Sequence, residues 1–337
     1  MNSVTVTVPG KAVLSGEYAV LRKAPAIAVA INCRALARIV RTEQEFHSVS
    51  TPGHAAGQRR FTANDAGEID WLDELPNQGL RLIEEAWRVC VPAAGERLAV
   101  TLDTRDFFAP ESGQKLGLGG SAAAMTALIG ALACFASQPA DVFELARKAH
   151  KALQGGLGSG VDIATSFYGG VIEFRTNSKS APLQHPWPAG LAYRFLWSGT
   201  SADTRSRIVK IGSESDSRTD WSSLSSAAEA AASAWAGNDV KDILHVFEHY
   251  TNTLRQFSID HDLGIFDAGH DELRKIAATF GVVYKPCGAG GGDIGIALAA
   301  DENAVNGFCK TAETFGFASL DISPDPAGIS TDVGDMH

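Results

Sequence analysis

Four short glycine-rich segments punctuate this chain of 337 residues, and each carries a charged side chain. The first is Pro9-Gly10-Lys11, followed by Ser15-Gly16-Glu17-Tyr18. The second, residues 115–123, reads KLGLGGSAA. The third runs Gln154-Gly155-Gly156-Leu157-Gly158-Ser159-Gly160-Val161-Asp162, and the fourth Lys285-Pro286-Cys287-Gly288-Ala289-Gly290-Gly291-Gly292-Asp293. Three contain lysine and two end on aspartate. Glycine lets backbone N–H groups approach a ligand with no Cβ in the way. Lysine is a point charge suited to phosphate, and aspartate can accept a proton from a hydroxyl. Together they point to an anionic ligand with several phosphates. Phosphoryl transfer asks for these parts: donors on phosphate, a divalent metal, a cation on the moving group and a group that orients the acceptor.

The second segment is the most telling. Gly117, Gly119 and Gly120 lead into Ser121 and an apolar run without proline, so a glycine-rich loop feeds the start of a helix. A helix N-terminus presents unpaired N–H groups and a partial positive charge, where phosphate binds. No Gly-Lys-Ser/Thr follows, so it is not a Walker A loop. Gly117 to Ala122 also fits the dinucleotide pattern G-x-G-x-x-A, with Asp141 about 20 residues on. That reading, a nicotinamide oxidoreductase, needs an apolar strand just before the loop. The preceding Ala109-Pro110-Glu111-Ser112-Gly113-Gln114 is polar. A plain loop ahead of a close-packed alanine-rich helix remains open for this segment. Lys11 beside a surface turn and Asp162 as a helix cap remain open for theirs.

The elements that must carry these segments alternate strand and helix. Val4-Thr5-Val6-Thr7-Val8 has the period of a strand, which Pro9-Gly10 is expected to turn. Residues 26–31, 35–40, 97–102 and 171–174 read as further strands. Residues 51–70 read as a loop or hairpin excursion, residues 80–89 as a helix, and residues 141–153 as a helix capped by Asp141. Residues 176–190, with Pro182, Pro186 and Pro188, make the best junction between two domains, 1–185 and 186–337. Beyond it, residues 193–197, 281–284, 294–298 and 317–322 read as strands. Residues 220–280 and 302–315 read as helical. The expected fold class is α+β, in two domains.

Bulk numbers exclude other classes. A net charge of −10, from 29 basic and 39 acidic residues, argues against a nucleic-acid partner. No apolar run of about 18 residues would span a membrane, and no secretory signal is read at the N-terminus. Cys33, Cys90, Cys134, Cys287 and Cys309 are scattered, as suits reduced thiols in a cytoplasmic protein. The histidines show no metal-ligand spacing; His245 and His249 read as a solvated helix face.

With these residues in view, the ordered set Pro-Gly-Lys, Gly-Leu-Gly-Gly-Ser-Ala-Ala and Lys-Pro-Cys-Gly-Ala-Gly-Gly-Gly-Asp resembles the three motifs of the GHMP small-molecule kinases, across residues 8–298. The resemblance implies a ribosomal protein S5 domain 2-like N-terminal domain and a ferredoxin-like C-terminal domain. ATP and Mg2+ would bind between them. By resemblance, Gly117, Leu118, Gly119, Gly120, Ser121 and Ala122 wrap the ATP phosphates, and the Ser121 hydroxyl holds Mg2+. Asp162 stands near the acceptor as base or orienter, Lys11 pairs with it and stabilises the moving phosphoryl group, and Lys115 clamps a second phosphate. Gly288–Gly292 close the site from the C-terminal domain, with Gly290 and Gly291 on the acceptor. Ser15, Glu17, Tyr18, Ser159, Gly160, Ser198, Thr200, Ser201, Thr204 and Arg205 face the acceptor.

Local details are most similar to the phosphomevalonate kinase branch: Tyr18 where mevalonate kinases usually show histidine, Lys115 before the loop, Gly158-Ser159-Gly160-Val161-Asp162, and residues 197–204. The implied acceptor is a small phosphorylated molecule, and the implied assembly a monomer or homodimer. Mevalonate, sugar and homoserine kinases, and a non-catalytic ligand-sensing relative, are the alternatives. Two departures stand out. Gly120 replaces a usual serine, and Lys151 stands where mevalonate kinase places a metal-binding glutamate.

Overall fold

The first strand, β1 (Ser3–Ser15), does not turn at Pro9-Gly10; it runs on through a register shift between those two residues. Gly10 meets a different demand. An added Cβ would lie 2.5 Å from the Leu118 carbonyl oxygen, so glycine there permits a close approach of backbones at a bulge. Up to Thr7 the strand alternates between buried and half-buried residues; from Val8 onward every residue is buried. Period two marks a strand covered on one face, and it vanishes where both faces are covered. The computed structural model describes residues 2–75, 80–136, 139–176, 178, 180–202, 207, 210–211 and 221–334.

β2 (Ala26–Arg41) joins two expected strands into one of 16 residues. The stretch expected as a loop or hairpin excursion holds β3 (His47–Thr51), β4 (Ala55–Ala63) and β5 (Ile69–Trp71). Then come α1 (Arg81–Val89), β6 (Leu98–Asp103), α2 (Gly120–Ala133), α3 (Val142–Leu153), α4 (Val161–Tyr168), β7 (Val171–Phe174) and β8 (Leu183–His185). In the first sheet the strand order is β13-β1-β2-β6-β3-β4-β5, where β13 is Ser330–Gly334, with β7 on the early part of β2 and β8 on β7. α2 lies on β1 and β2. Eleven of its 14 residues are buried, so it is a core helix, apolar all round.

The second sheet is built from β9 (Ala192–Trp197), β10 (Val283–Pro286), β11 (Ile294–Ala299) and β12 (Ala318–Leu320). Helices α5 (Ser222–Gly237), α6 (Val240–Asp260) and α7 (His270–Thr279) separate β9 from β10, and α8 (Glu302–Glu313) separates β11 from β12. The antiparallel order β12-β9-β11-β10 is that of a ferredoxin-like sheet.

β8 ends at His185, where the sequence suggested a division, and β9 of the second sheet begins at Ala192. The chain then crosses back. β13 (Ser330–Gly334) pairs antiparallel with Ser3–Thr7 of β1. Arg34 grips this returning segment, bonding the Asp325 carboxylate and the Gly328 carbonyl. Nothing local announces a strand in Ser330-Thr331-Asp332-Val333-Gly334, because its partner lies at the other end of the chain.

Candidate active site

The site is assembled at the end of β1. Lys11 projects from that strand, and its backbone N–H donates to the Leu118 carbonyl at 2.9 Å, fixing the strand to the glycine-rich loop of residues 115–119. Its ammonium lies 3.0 Å from Oδ1 of Asp162. Asp162 sits in the first turn of α4, behind the left-handed N-cap Gly160, and no side chain caps that helix. The carboxylate thus turns to Lys11 and does not act as a cap. Lys11 is 9% exposed. Burial works against its charge, but Asp162, with Asp293 adding to it, outweighs burial and holds the ammonium above its ordinary value.

The loop of residues 115–119 enters α2 through Gly119, which is left-handed at φ 78°. No side chain caps this helix and no acidic residue stands in its first turn, so its positive end is left for a ligand. The glycines are required by the protein itself. A Cβ on Gly119 would meet the Lys11 side chain at 2.8 Å, one on Gly117 the Asp293 side chain at 2.3 Å, and one on Gly120 the Phe107 ring at 2.8 Å. Leu118 faces the core, while Lys115 and Ser121 are exposed.

Two cavities open from this centre. The larger, of about 500 Å³, is bounded by the loop, the start of α2, Lys115, Phe107 and Phe108. The smaller, of about 140 Å³, is bounded by Tyr18, Ser159, Gly160, Gly288 and Ala289. They share Lys11, Gly117, His150, Gln154, Asp162 and Asp293. Tyr18 donates from Oη to the Ala289 carbonyl at 2.8 Å, joining the two halves of the chain across the smaller cavity.

Several expected residues lie elsewhere. Ser15 is wholly buried and borders neither cavity. Glu17 borders the smaller one, but its carboxylate is engaged: one oxygen takes the Lys285 ammonium, the other the Tyr250 hydroxyl at 2.6 Å. Lys285, counted in the sequence among the phosphate-side charges, is thereby committed to the interior. Gly290 and Gly291 border neither cavity; they press against the backbone of Ile265 and Gly264 between α6 and α7. Ser198 and Thr200 bond one another, and of that loop Ser201 and Ala202 reach the larger cavity, not the smaller. Thr204 and Arg205 lie outside the described residues.

His150, Gln154 and Asp293 were not among the expected site residues. His150, in the last turn of α3, is kept below its ordinary pKa by burial, with Asp162 acting in the opposite sense. Asp293 is raised by burial, against the Ala202 amide and Lys11. Its carboxylate accepts from Ala202 N–H at 3.0 Å, and its N–H donates to the Thr200 carbonyl at 2.7 Å. Its place at the end of the fourth glycine segment was the available signal. His150 offered none, since its partners lie on other elements.

Comparison with known proteins shows what the chain is similar to. Residues 82–170 match the family described as GHMP kinases N terminal domain, and solved structures of GHMP kinases share the fold over nearly the whole chain. The matched stretch carries the GHMP kinase N-terminal domain, and the rest of the chain shares the fold of such kinases. It is 27% identical to a protein named phosphomevalonate kinase from a Streptomyces species, over 95% of this chain and 97% of that one. The Lin0012 protein of Listeria innocua superposes with a TM-score of 0.83 at 23% identity, covering 99% of this chain and 100% of that one. Streptococcus pneumoniae phosphomevalonate kinase, solved in complex with phosphomevalonate and AMPPNP, superposes with a TM-score of 0.77 at 18% identity, covering 95% and 99%.

Proposed function

We propose that this protein transfers the γ-phosphoryl group of ATP to the phosphate of 5-phosphomevalonate, giving 5-diphosphomevalonate and ADP. The observation that carries the reading is the meeting of two unequal cavities at the Lys11–Asp162 pair. The larger falls within the roughly 300–1,000 Å³ of small-molecule sites and ends on an uncapped helix N-terminus, as a nucleoside triphosphate requires. The smaller takes a compact acceptor. The name of the Streptomyces relative and the contents of the pneumococcal structure support this choice of acceptor and donor.

In this reading the amides at the start of α2 and Lys115 hold the donor phosphates. Lys11 lies where the two cavities join, so its charge acts on the phosphoryl group as it passes between them. Asp162 keeps Lys11 aimed and charged. An acceptor phosphate is already ionised near neutral pH, so orientation suffices and no proton need be removed. An acceptor oxygen forms the new bond to the γ-phosphorus while its bond to the bridging oxygen of ADP breaks. Mg2+, when bound, would neutralise charge on the donor phosphates. It commonly keeps several waters and takes few protein ligands. The exposed Ser121 hydroxyl at the helix start fits that demand, and no cluster of three metal-binding side chains is found among the described residues. An ADP-release assay with phosphomevalonate and mevalonate side by side tests the proposal. Turnover of mevalonate alone would move the acceptor to a hydroxyl, and ATP binding without turnover would make the protein a ligand sensor.

A further inference from the structure

We propose that His270 is a positioning residue: it sets the glycine-rich loop of residues 288–293 against the loop of residues 115–119 through the Gly292 carbonyl. Its kinetic consequence rests on the phosphotransfer reading above; its structural part does not.

His270 opens α7 and is wholly buried. Its Nε2 lies 3.1 Å from the Gly292 carbonyl oxygen and its Nδ1 2.8 Å from Tyr284 Oη. A carbonyl oxygen only accepts, so Nε2 carries the proton and donates to it. Nδ1 then has a lone pair and accepts from the tyrosine hydroxyl. Both ring nitrogens are satisfied in one tautomer only. The ring stacks on Tyr284 with centroids 5.9 Å apart and meets Phe317 edge-on at 5.3 Å. Burial, with Lys285 nearby, pushes its pKa down to about 4, so the neutral ring persists at neutral pH.

The loop it holds needs holding. Gly288, Gly290 and Gly291 have φ near 70°, Gly292 has φ 146° and Asp293 has φ 54°. Glycine reaches such conformations without strain but fixes none of them by itself, so the shape of the loop depends on its surroundings. The enforcing contacts come from outside the loop: Gly291 N–H to the Ile265 carbonyl at 2.7 Å, Asp293 N–H to the Thr200 carbonyl at 2.7 Å, and His270 on Gly292. Gly292 immediately precedes the residue whose carboxylate rests on Gly117 and receives the Ala202 amide. A shift at Gly292 therefore reaches both cavities through Asp293.

Two amide variants separate positioning from packing. Gln at 270 can place its N–H near the former Nε2 and keep the donor to Gly292. Asn reaches only as far as Nδ1 and keeps the acceptor for Tyr284. In His270→Asn, amide exchange at Ala202 and Asp293 should quicken and the acceptor KM rise, each by about tenfold, as for one buried hydrogen bond. His270→Gln should hold both within about twofold, even though both variants melt earlier. Equal loss in the two variants, or loss in neither, overturns the proposal. Nitrogen NMR of the wild-type ring needs no variant: the Nε2–H tautomer is expected, and the Nδ1–H tautomer overturns it. If the exchange contrast holds while the wild type phosphorylates nothing, positioning stands and the phosphotransfer reading falls. If the wild type turns over and the contrast is absent, positioning alone falls.

Discussion

Burial works against the charge of Lys11, yet its ammonium is held above its ordinary pKa, because Asp162 lies 3.0 Å away and outweighs the loss of water. Each residue needs the other, so their substitutions should not add. Replacing either Lys11 or Asp162 by alanine is expected to lower kcat by two to three orders of magnitude, the roughly 3–4 kcal/mol that a charge-stabilising group contributes in such sites. The double variant should lose little more. Steady-state kinetics on the three proteins check this; a Lys11→Ala enzyme within tenfold of wild type would remove lysine from the reaction. Residue type and glycine context singled out each of these two residues in the sequence, and the family resemblance implied that they pair. The same signals misassigned Lys285, because a lysine before a glycine run looks alike whether it faces a phosphate or a buried glutamate.

Among the elements, the passage from the loop of residues 115–119 to α2 depends on Gly119. It is left-handed, and a Cβ there would strike the Lys11 stem at 2.8 Å. Gly119→Ala should cost about 1–3 kcal/mol from backbone conformation alone, and should also displace Lys11 and lower kcat. Gly156 gives the control. It is equally left-handed at φ 85°, but nothing lies within 4 Å of its added Cβ. Gly156→Ala should lose a similar amount of stability with kcat unchanged, as read from denaturant midpoints and turnover together. Helices and most strands were legible from periodicity. Continuity was not: Pro9-Gly10 has the composition of a turn, yet β1 runs through it because β2 and the loop of residues 115–119 flank it. β13 was invisible, since one valine among four polar or small residues becomes a strand only when Ser3–Thr7 supplies an edge.

For the whole molecule, the two halves are tied by a buried triad. Glu17 accepts from Lys285 of β10 and Tyr250 of α6, and the side chains of Glu17 and Lys285 are 2% and 1% exposed. Removing one partner leaves an uncompensated charge in the interior. Glu17→Gln should therefore lower unfolding free energy by about 3–5 kcal/mol, whereas Tyr250→Phe, which leaves the ion pair intact, should cost less. Chemical denaturation measures both. Stability should also depend on pH through His47 and His270, each pushed down to about 4 by burial from an ordinary 6.5. Between those values the unfolded chain binds protons that the folded one does not. Their contribution is complete above pH 6.5 and is lost as pH falls towards 4. A Tm that stays flat across that interval would contradict the burial of these rings.

The sequence by itself pointed to a class of chemistry and to candidate parts. Glycine clusters beside Lys11, Lys115 and Asp162 suggest an anionic ligand through local composition, which survives without coordinates, and the family resemblance gave Ser121 and the others their expected roles. Tertiary structure alone decided which charges meet. It committed Glu17 and Lys285 to each other, turned Gly290 and Gly291 away from the cavities, and brought His150 and Asp293 to Lys11. The physical reason is that the direction and burial of a side chain are set by elements distant in sequence, and burial decides whether a charge serves a ligand or the fold.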